Sequence, residues 1–190
     1  MTEPTVTLYK GEREVRTYSE LHHATRMLIK TSHEHIPGNA YTVMSALILE
    51  AFTFEAYLNH LGERHFNLWT EDERIPWRQK FDMIRDKVDL KRIDGTRRPY
   101  STLYQLFWFR NVLAHGRTET FREEFQVAEP PPLAWPKSDW EKYLTHDNAI
   151  VGREDVETII HKLHSMAGLG DHPFDAPGAS GEFTLKRTNP

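Results

Sequence analysis

Between Ala40 and Leu61 the chain offers almost no polar face. Val43, Met44, Ala46, Leu47, Ile48, Leu49, Ala51, Phe52, Phe54, Ala56, Tyr57 and Leu58 fill nearly every position. A helix that is apolar nearly all round must be packed on several sides, so this segment predicts the central helix of an all-α fold. Two carboxylates interrupt it, Glu50 and Glu55. A carboxylate in such a helix needs a hydrogen-bonding or cationic partner, or an outlet to water. One reading turns one or both into solvent. The other has one of them hold an arginine from a neighbouring helix, and Arg110 is the leading choice. The apolar run from Val43 to Leu58 is too short and too charged to span a bilayer, and no membrane partner is expected.

The remaining pattern is helical too. Thr17-Tyr18-Ser19-Glu20 reads as a capping box with Thr17 as N-cap, ahead of a helix carrying Leu21, Ala24, Met27 and Leu28 on one face. Ile36-Pro37-Gly38 stops that helix, and Asn39 can cap the central one. Thr70–Glu73 is a second capping box cut short by Pro76, which opens a helix to about Val88 with Trp77, Phe81, Ile84 and Val88 at helical spacing. Ser138–Glu141 is a third box, before a short helix. Glu154 to Ala167 is the last helix, with Val156, Ile159, Ile160 and Leu163 inward and Gly168 as its stop. The segment around Pro130-Pro131-Pro132 reads as a rigid linker. The 190 residues suffice for one domain, 1–190, with its core at about 17–167. The expected architecture is an up-and-down helical bundle of about four to five main helices. It carries an extended N-terminal arm, Thr5 to Tyr9, and a Gly/Pro-rich extended C-terminal tail, 168–190. Phe183-Thr184-Leu185 is the one plausible strand of that tail, a partner for the arm.

Pro99 opens the helix that ends in Leu106-Phe107-Trp108-Phe109-Arg110-Asn111-Val112-Leu113-Ala114-His115-Gly116. Leu103, Leu106, Phe107 or Phe109, and Leu113 form its buried stripe. Tyr104, Trp108, Asn111 and His115 form a second stripe. Arg110 and His115 lie ~140° apart on an ideal helix, so they meet only if Arg110 bends along a groove or the last turn loosens. Gly116 is expected to supply a left-handed C-cap, and the helix C-terminus favours a cation at His115. Ahead of this helix, Lys91–Arg98 is a polar, net-basic loop in which Arg97 and Arg98 form either a solvated surface or a phosphate-contacting rim.

The composition narrows the chemistry. With no cysteine there is no disulfide framework, thiol nucleophile or Cys-ligated zinc. His33-Glu34-His35 and His161-x-x-His164 lack the spacing of recognised zinc helices, so no metal and no cofactor are expected. No Gly-rich phosphate loop and no G-x-S-x-G elbow are present. A net charge of −4 means that any polyanion site must be a local basic patch. Met-Thr-Glu-Pro has neither a cationic region nor an apolar run, so we expect no signal peptide and a cytoplasmic location.

Arg110-Asn111-x-x-x-His115, at the end of an aromatic-rich helix and preceded by a long apolar helix with glutamates, resembles the R-x(4)-H motif of the HEPN superfamily. These are small all-helical domains of RNases, toxins and phage-defence proteins. The resemblance implies a metal-independent endoribonuclease, a toxin or defence effector, with Arg110, Asn111 and His115 as catalytic groups. Arg117, Arg97 and Arg98 would contact substrate, and Glu50 and Glu55 would support the motif. It implies RNA as substrate, a homodimer that brings two motifs to one cleft, and an antitoxin or sensor protein as a further partner. Some family toxins extend the motif to R-x(4)-H-x-Y. Position 117 is Arg here, so regulation through that tyrosine is not expected. The alternatives are a catalytically inactive RNA-binding or protein-interaction module, and a purely structural role in which Arg110 pairs with Glu50 or Glu55 and His115 ends the helix. Exposure separates them: Arg110 and His115 both accessible in one groove favour catalysis, and a His115 fully covered within a monomer excludes it.

Overall fold

The computed structural model describes residues 7–10, 14–34, 38–66, 69, 74–91, 93–122, 136–174 and 184–187. Among the described residues the fold is an all-α bundle of five longer helices and one short one. A two-stranded ribbon accompanies it. The helices are α1 (Thr17–Glu34), α2 (Asn39–His65), α3 (Trp77–Lys87), α4 (Tyr100–Ala114), α5 (Asp139–Tyr143) and α6 (His146–Met166). The strands β1 (Thr7–Lys10) and β2 (Thr184–Arg187) pair antiparallel, Thr7 opposite Arg187 and Lys10 opposite Thr184. Arm and tail therefore pair over these residues, while Thr5, Val6 and Phe183 lie outside the described residues.

The 27-residue α2 is the axis of the bundle: α1, α3, α4 and α6 all pack against it. Leu47, Ala51, Phe54, Tyr57, Leu58 and Leu61 are fully enclosed. Each large apolar side chain among them contributes about 1.5–3 kcal/mol by leaving water. Tyr41 and Phe52 remain exposed, so the helix does keep one open strip. Its last turn is held close by Gly62, where a Cβ would come within 2.0 Å of the Trp69 ring. No helix among the described residues is long and apolar enough to cross a membrane.

Helix ends follow the expected chemistry only in part. Ser138 and Glu141 form a complete capping box at the start of α5. Thr17, by contrast, is the first helical residue of α1, and the carbonyl of Arg16 accepts from the Ser19 and Glu20 N–H groups. At α2 it is Gly38, in the left-handed conformation at φ 80°, that turns the chain into the helix; Asn39 makes no cap. The Thr70–Glu73 box, the Pro130–Pro132 linker and His35 lie outside the described residues.

α6 begins at His146, two turns before the expected Glu154. Thr145 accepts the Asn148 N–H at 3.1 Å as its N-cap. Gly152 lies inside α6 for packing: a Cβ would sit 3.2 Å from Leu106 Cδ2 of α4. The missing side chain lets the two helices approach closely. α6 ends as expected at Gly168, at φ 71°. There Leu169 N–H donates to the His164 carbonyl and Gly168 N–H to that of Ser165. These are the two bonds of a Schellman motif.

Candidate functional site

Helix α4 carries the Arg-Asn-x-x-x-His stretch at its C-terminal end. Leu103, Leu106, Phe107 and Phe109 are buried and fix the helix against α2 and α6. That burial decides where each polar residue points. Arg110 turns toward α2, where its Nη2 donates to Glu55 Oε2 at 2.7 Å. Its guanidinium also lies over two rings, 5.2 Å from the Phe107 centroid and 5.6 Å from that of Phe52. Phe107 is in turn stacked on Trp77 of α3, centroids 4.1 Å apart and planes 10° apart. Arg110 is thus fixed in direction, and its side chain is still 25% exposed. Its Nε is buried with no hydrogen-bond partner.

Glu55 serves a second cation. Lys80 Nζ lies 3.5 Å from Glu55 Oε1 and donates to Asn59 Oδ1 at 2.9 Å, with the lysine side chain only 2% exposed. Two cations share one carboxylate, so the cluster keeps a net positive charge. Pairing with Glu55 orients Arg110 without cancelling the local field. Lys80 escaped sequence reasoning. The available signal was its place on the apolar face of α3, between Trp77, Phe81 and Ile84.

Glu50 does not take part. It is 1% exposed, neither of its oxygens has a hydrogen-bond partner, and no cation is paired with it. Burial pushes its carboxyl up to about 8; the Thr25 hydroxyl and the charge of Arg153 act in the opposite direction and do not outweigh it. The expectation that a carboxylate here requires a partner is met by protonation instead. The buried Thr25 hydroxyl faces Glu50 without closing a well-formed hydrogen bond to it, and His22 Nδ1 is a further buried atom of α1 with no partner. Burial also pushes His22 down to about 4. Burial outweighs the reach of the Arg153 charge at Glu50 and is the larger effect at His22.

At the end of α4, Asn111, His115 and Arg117 are all exposed. His115 is the C-cap at φ −117°, and its N–H donates to the Asn111 carbonyl at 3.0 Å. Gly116 is not left-handed, in contrast to the expectation; its φ is negative. Its lack of a side chain matters for another reason, since a Cβ would lie 3.3 Å from the Val112 carbonyl oxygen. No side-chain bond joins Arg110, Asn111 and His115 to one another among the described residues. Arg110 is held on the α2 side, and His115 projects from the solvent side. Trp108 is 40% exposed beside them and is braced edge-on by Tyr143 of α5, centroids 5.9 Å apart.

The basic loop is not brought to this end. Arg97 and Arg98 precede α4, whose 15 residues separate them from His115 by about 22 Å. Arg97 is 84% exposed and pairs with Asp94 at 3.4 Å. Arg98 is committed elsewhere: its Nε and Nη2 donate to Asp155 at 2.7 and 2.9 Å, and Thr102 Oγ1 donates to the same carboxylate. That clamp ties the start of α4 to α6. The histidines weighed as metal ligands also have partners. His164 Nδ1 is 3.1 Å from the Tyr57 hydroxyl, and His161 Nδ1 is 3.0 Å from the Asp171 carbonyl.

One end of α4 therefore presents an exposed imidazole, an exposed carboxamide and an exposed guanidinium, next to a second guanidinium that is pre-oriented. An imidazole can exchange a proton, and the other groups can donate to an oxyanion. Compared with known proteins, the chain matches no family model, no curated protein and no solved structure.

Proposed function

We propose that the protein is a HEPN-like, metal-independent endoribonuclease with its site at Arg110, Asn111 and His115. The observation that carries this reading is the state of the two outer residues. His115 is exposed at the helix end, and Arg110 is part-exposed and held rigid by Glu55, Phe107 and Phe52. A preoriented cation stabilises developing phosphoryl charge without reorganising. The net positive Glu55–Lys80–Arg110 cluster supports binding of an anion there.

In the proposed reaction a ribose 2′-OH attacks the adjacent phosphorus as its proton passes to an imidazole. The bond from phosphorus to the 5′ oxygen breaks, and that oxygen takes up a proton. The products are a 2′,3′-cyclic phosphate and a 5′-OH, and no water or metal is consumed. One histidine does not comfortably serve as base and acid in a single step. A homodimer supplies the second His115, and lets Arg110 of one copy serve the His115 of the other. Arg117 adds a phosphate contact. The biological setting that fits is a toxin or defence effector in the cytoplasm, restrained by an antitoxin or a sensor protein.

A second reading has one specific observation in its favour. The 2.7 Å contact between Arg110 and Glu55 is the ion pair that a purely structural arginine makes. It favours a catalytically inactive module that binds RNA or protein. Cleavage of single-stranded RNA in EDTA by wild type and by His115→Ala separates the two. The nuclease reading expects cleavage with cyclic-phosphate ends by wild type and none by the variant. Equal activity in both, or none in wild type with an intact dimer, would sink it.

A further inference from the structure

A cleft of about 550 Å³ opens on the flank of α4 at its other end. Arg78, Phe81, Asp82 and Arg85 of α3, Tyr104 of α4, and Ile93, Gly95 and Thr96 of the loop between them line it. Its size is within the range that holds a small ligand. Asp82 pairs with Arg85 at 3.3 Å, and Asp86 also reaches Arg85. Arg78 is exposed, has no ion pair among the described residues, and lies over the Tyr104 ring with its guanidinium 4.9 Å from the centroid. The floor is firm. Tyr104 meets Trp77 edge-on at 5.5 Å, and Gly95 leaves just enough room for its ring, since a Cβ there would stand 3.1 Å away. A guanidinium stacked on a tyrosine, with its outer face in solvent, is a platform for a nucleobase and a contact for a phosphate at once.

The position of the cleft gives it meaning. Tyr104, Trp108, Asn111 and His115 fall within ~60° of one another on an ideal helix. They form one stripe, half-buried under Arg78 at Tyr104 and exposed at Trp108, Asn111 and His115, with the braced Trp108 in the middle. The eleven helical rises from Tyr104 to His115 span about 16 Å. That is roughly five nucleotides at the ~3.4 Å stacked rise, and fewer for an extended strand.

We propose that the stripe is a single-strand RNA track. The Arg78–Tyr104 cleft holds one base and its phosphate, Trp108 stacks an intervening base, and the scissile phosphate lies at His115. The nuclease reading supplies the position of that phosphate, and the track makes the substrate an unpaired strand rather than a duplex. A duplex cannot lay bases on Trp108 and Arg78 without unpairing.

The test is fluorescence anisotropy with a labelled ten-nucleotide RNA, in a His115→Ala background so that nothing is cleaved. Arg78→Ala and Trp108→Ala are compared with that parent, and Lys87→Ala, exposed on the same α3 but outside the cleft, is the control. Each of the two track variants is expected to weaken binding by about 5-fold or more, the lower range for one lost stacking platform. Arg78→Ala also reduces the slope of log affinity against log salt by about 0.7, one single-strand phosphate contact. Lys87→Ala changes neither. If Arg78→Ala and Trp108→Ala bind like the parent, the track is wrong, even if wild type cleaves RNA. If both weaken binding and wild type does not cleave, the track stands and the nuclease reading falls. A parent that does not bind RNA at all overturns both.

Discussion

Replacing Glu50 with glutamine is expected to stabilise the protein at neutral pH and not in acid. Glu50 is sealed between helices with no partner, and burial raises its carboxyl to about 8 from an unfolded value of 4.5. Below pH 4.5 the acid is neutral in both states and contributes nothing to pH dependence. Above it the unfolded chain ionises while the folded one must stay protonated, so stability is lost as pH rises from 4.5 until the folded group itself titrates near 8. At about 1.4 kcal/mol per pH unit, the loss at pH 7 is about 3 kcal/mol. Glutamine has nearly the shape of the neutral acid and never ionises, so it removes this loss. Its extra N–H has no acceptor in the site, which offsets about 1 kcal/mol. The net gain at pH 7 is about 2 kcal/mol, or about 4–8 °C in Tm for a chain of this size. Calorimetry of both proteins at pH 4 and pH 7 reads the effect directly. The variant melts higher at pH 7 and equal or slightly lower at pH 4. A difference of the same sign and size at both pH values would refute the reasoning, because it would mean that Glu50 is not protonated by burial.

Three further outcomes follow from contacts described above. Glu55→Gln leaves Lys80 buried against a neutral group and frees Arg110; it lowers stability by about 1–3 kcal/mol in urea titration while tightening RNA binding in anisotropy. Gly62→Ala drives a methyl into the Trp69 ring at 2.0 Å and costs about 1–3 kcal/mol, read as a lower urea midpoint with the slope unchanged. Asp155→Ala strips Arg98 and the buried Thr102 hydroxyl of their acceptor; the loss is about 1–3 kcal/mol, chiefly from Thr102, and the rate of RNA cleavage at a temperature where both proteins are folded stays that of wild type.

The helical class and the central role of α2 were legible because periodicity and burial are the same information in an apolar segment. Pro76 and Pro99 marked the entries of α3 and α4 because proline fits the start of a helix and little else there. The pairing of Arg110 with Glu55 was legible as one of two choices. Which glutamate it would be depends on the rotation of α2, which the apolar pattern around it does not fix. Glu50 was misread for a related reason: sequence identifies a carboxylate in a core, and only the packed surroundings decide between a partner and a proton. The place of Gly152 inside α6 was not legible, because its value lies wholly in Leu106 of another helix. Arg98 read as a free cation because its acceptor, Asp155, is 57 residues away.

The clamp on Asp155 has a mechanical consequence. It pins α4 at its first turn, Leu106 against Gly152 holds the middle, and Arg110 on Glu55 with Leu113 on the core holds the inner side of the last turn, while Asn111, Ala114 and His115 stand open to water. α4 is a beam fixed at root, middle and inner tip, with only the outer side of its last turn free. A ligand on His115 loads that free side, whereas one that takes hold of Arg110 pulls on Glu55 and through it on Lys80 of α3.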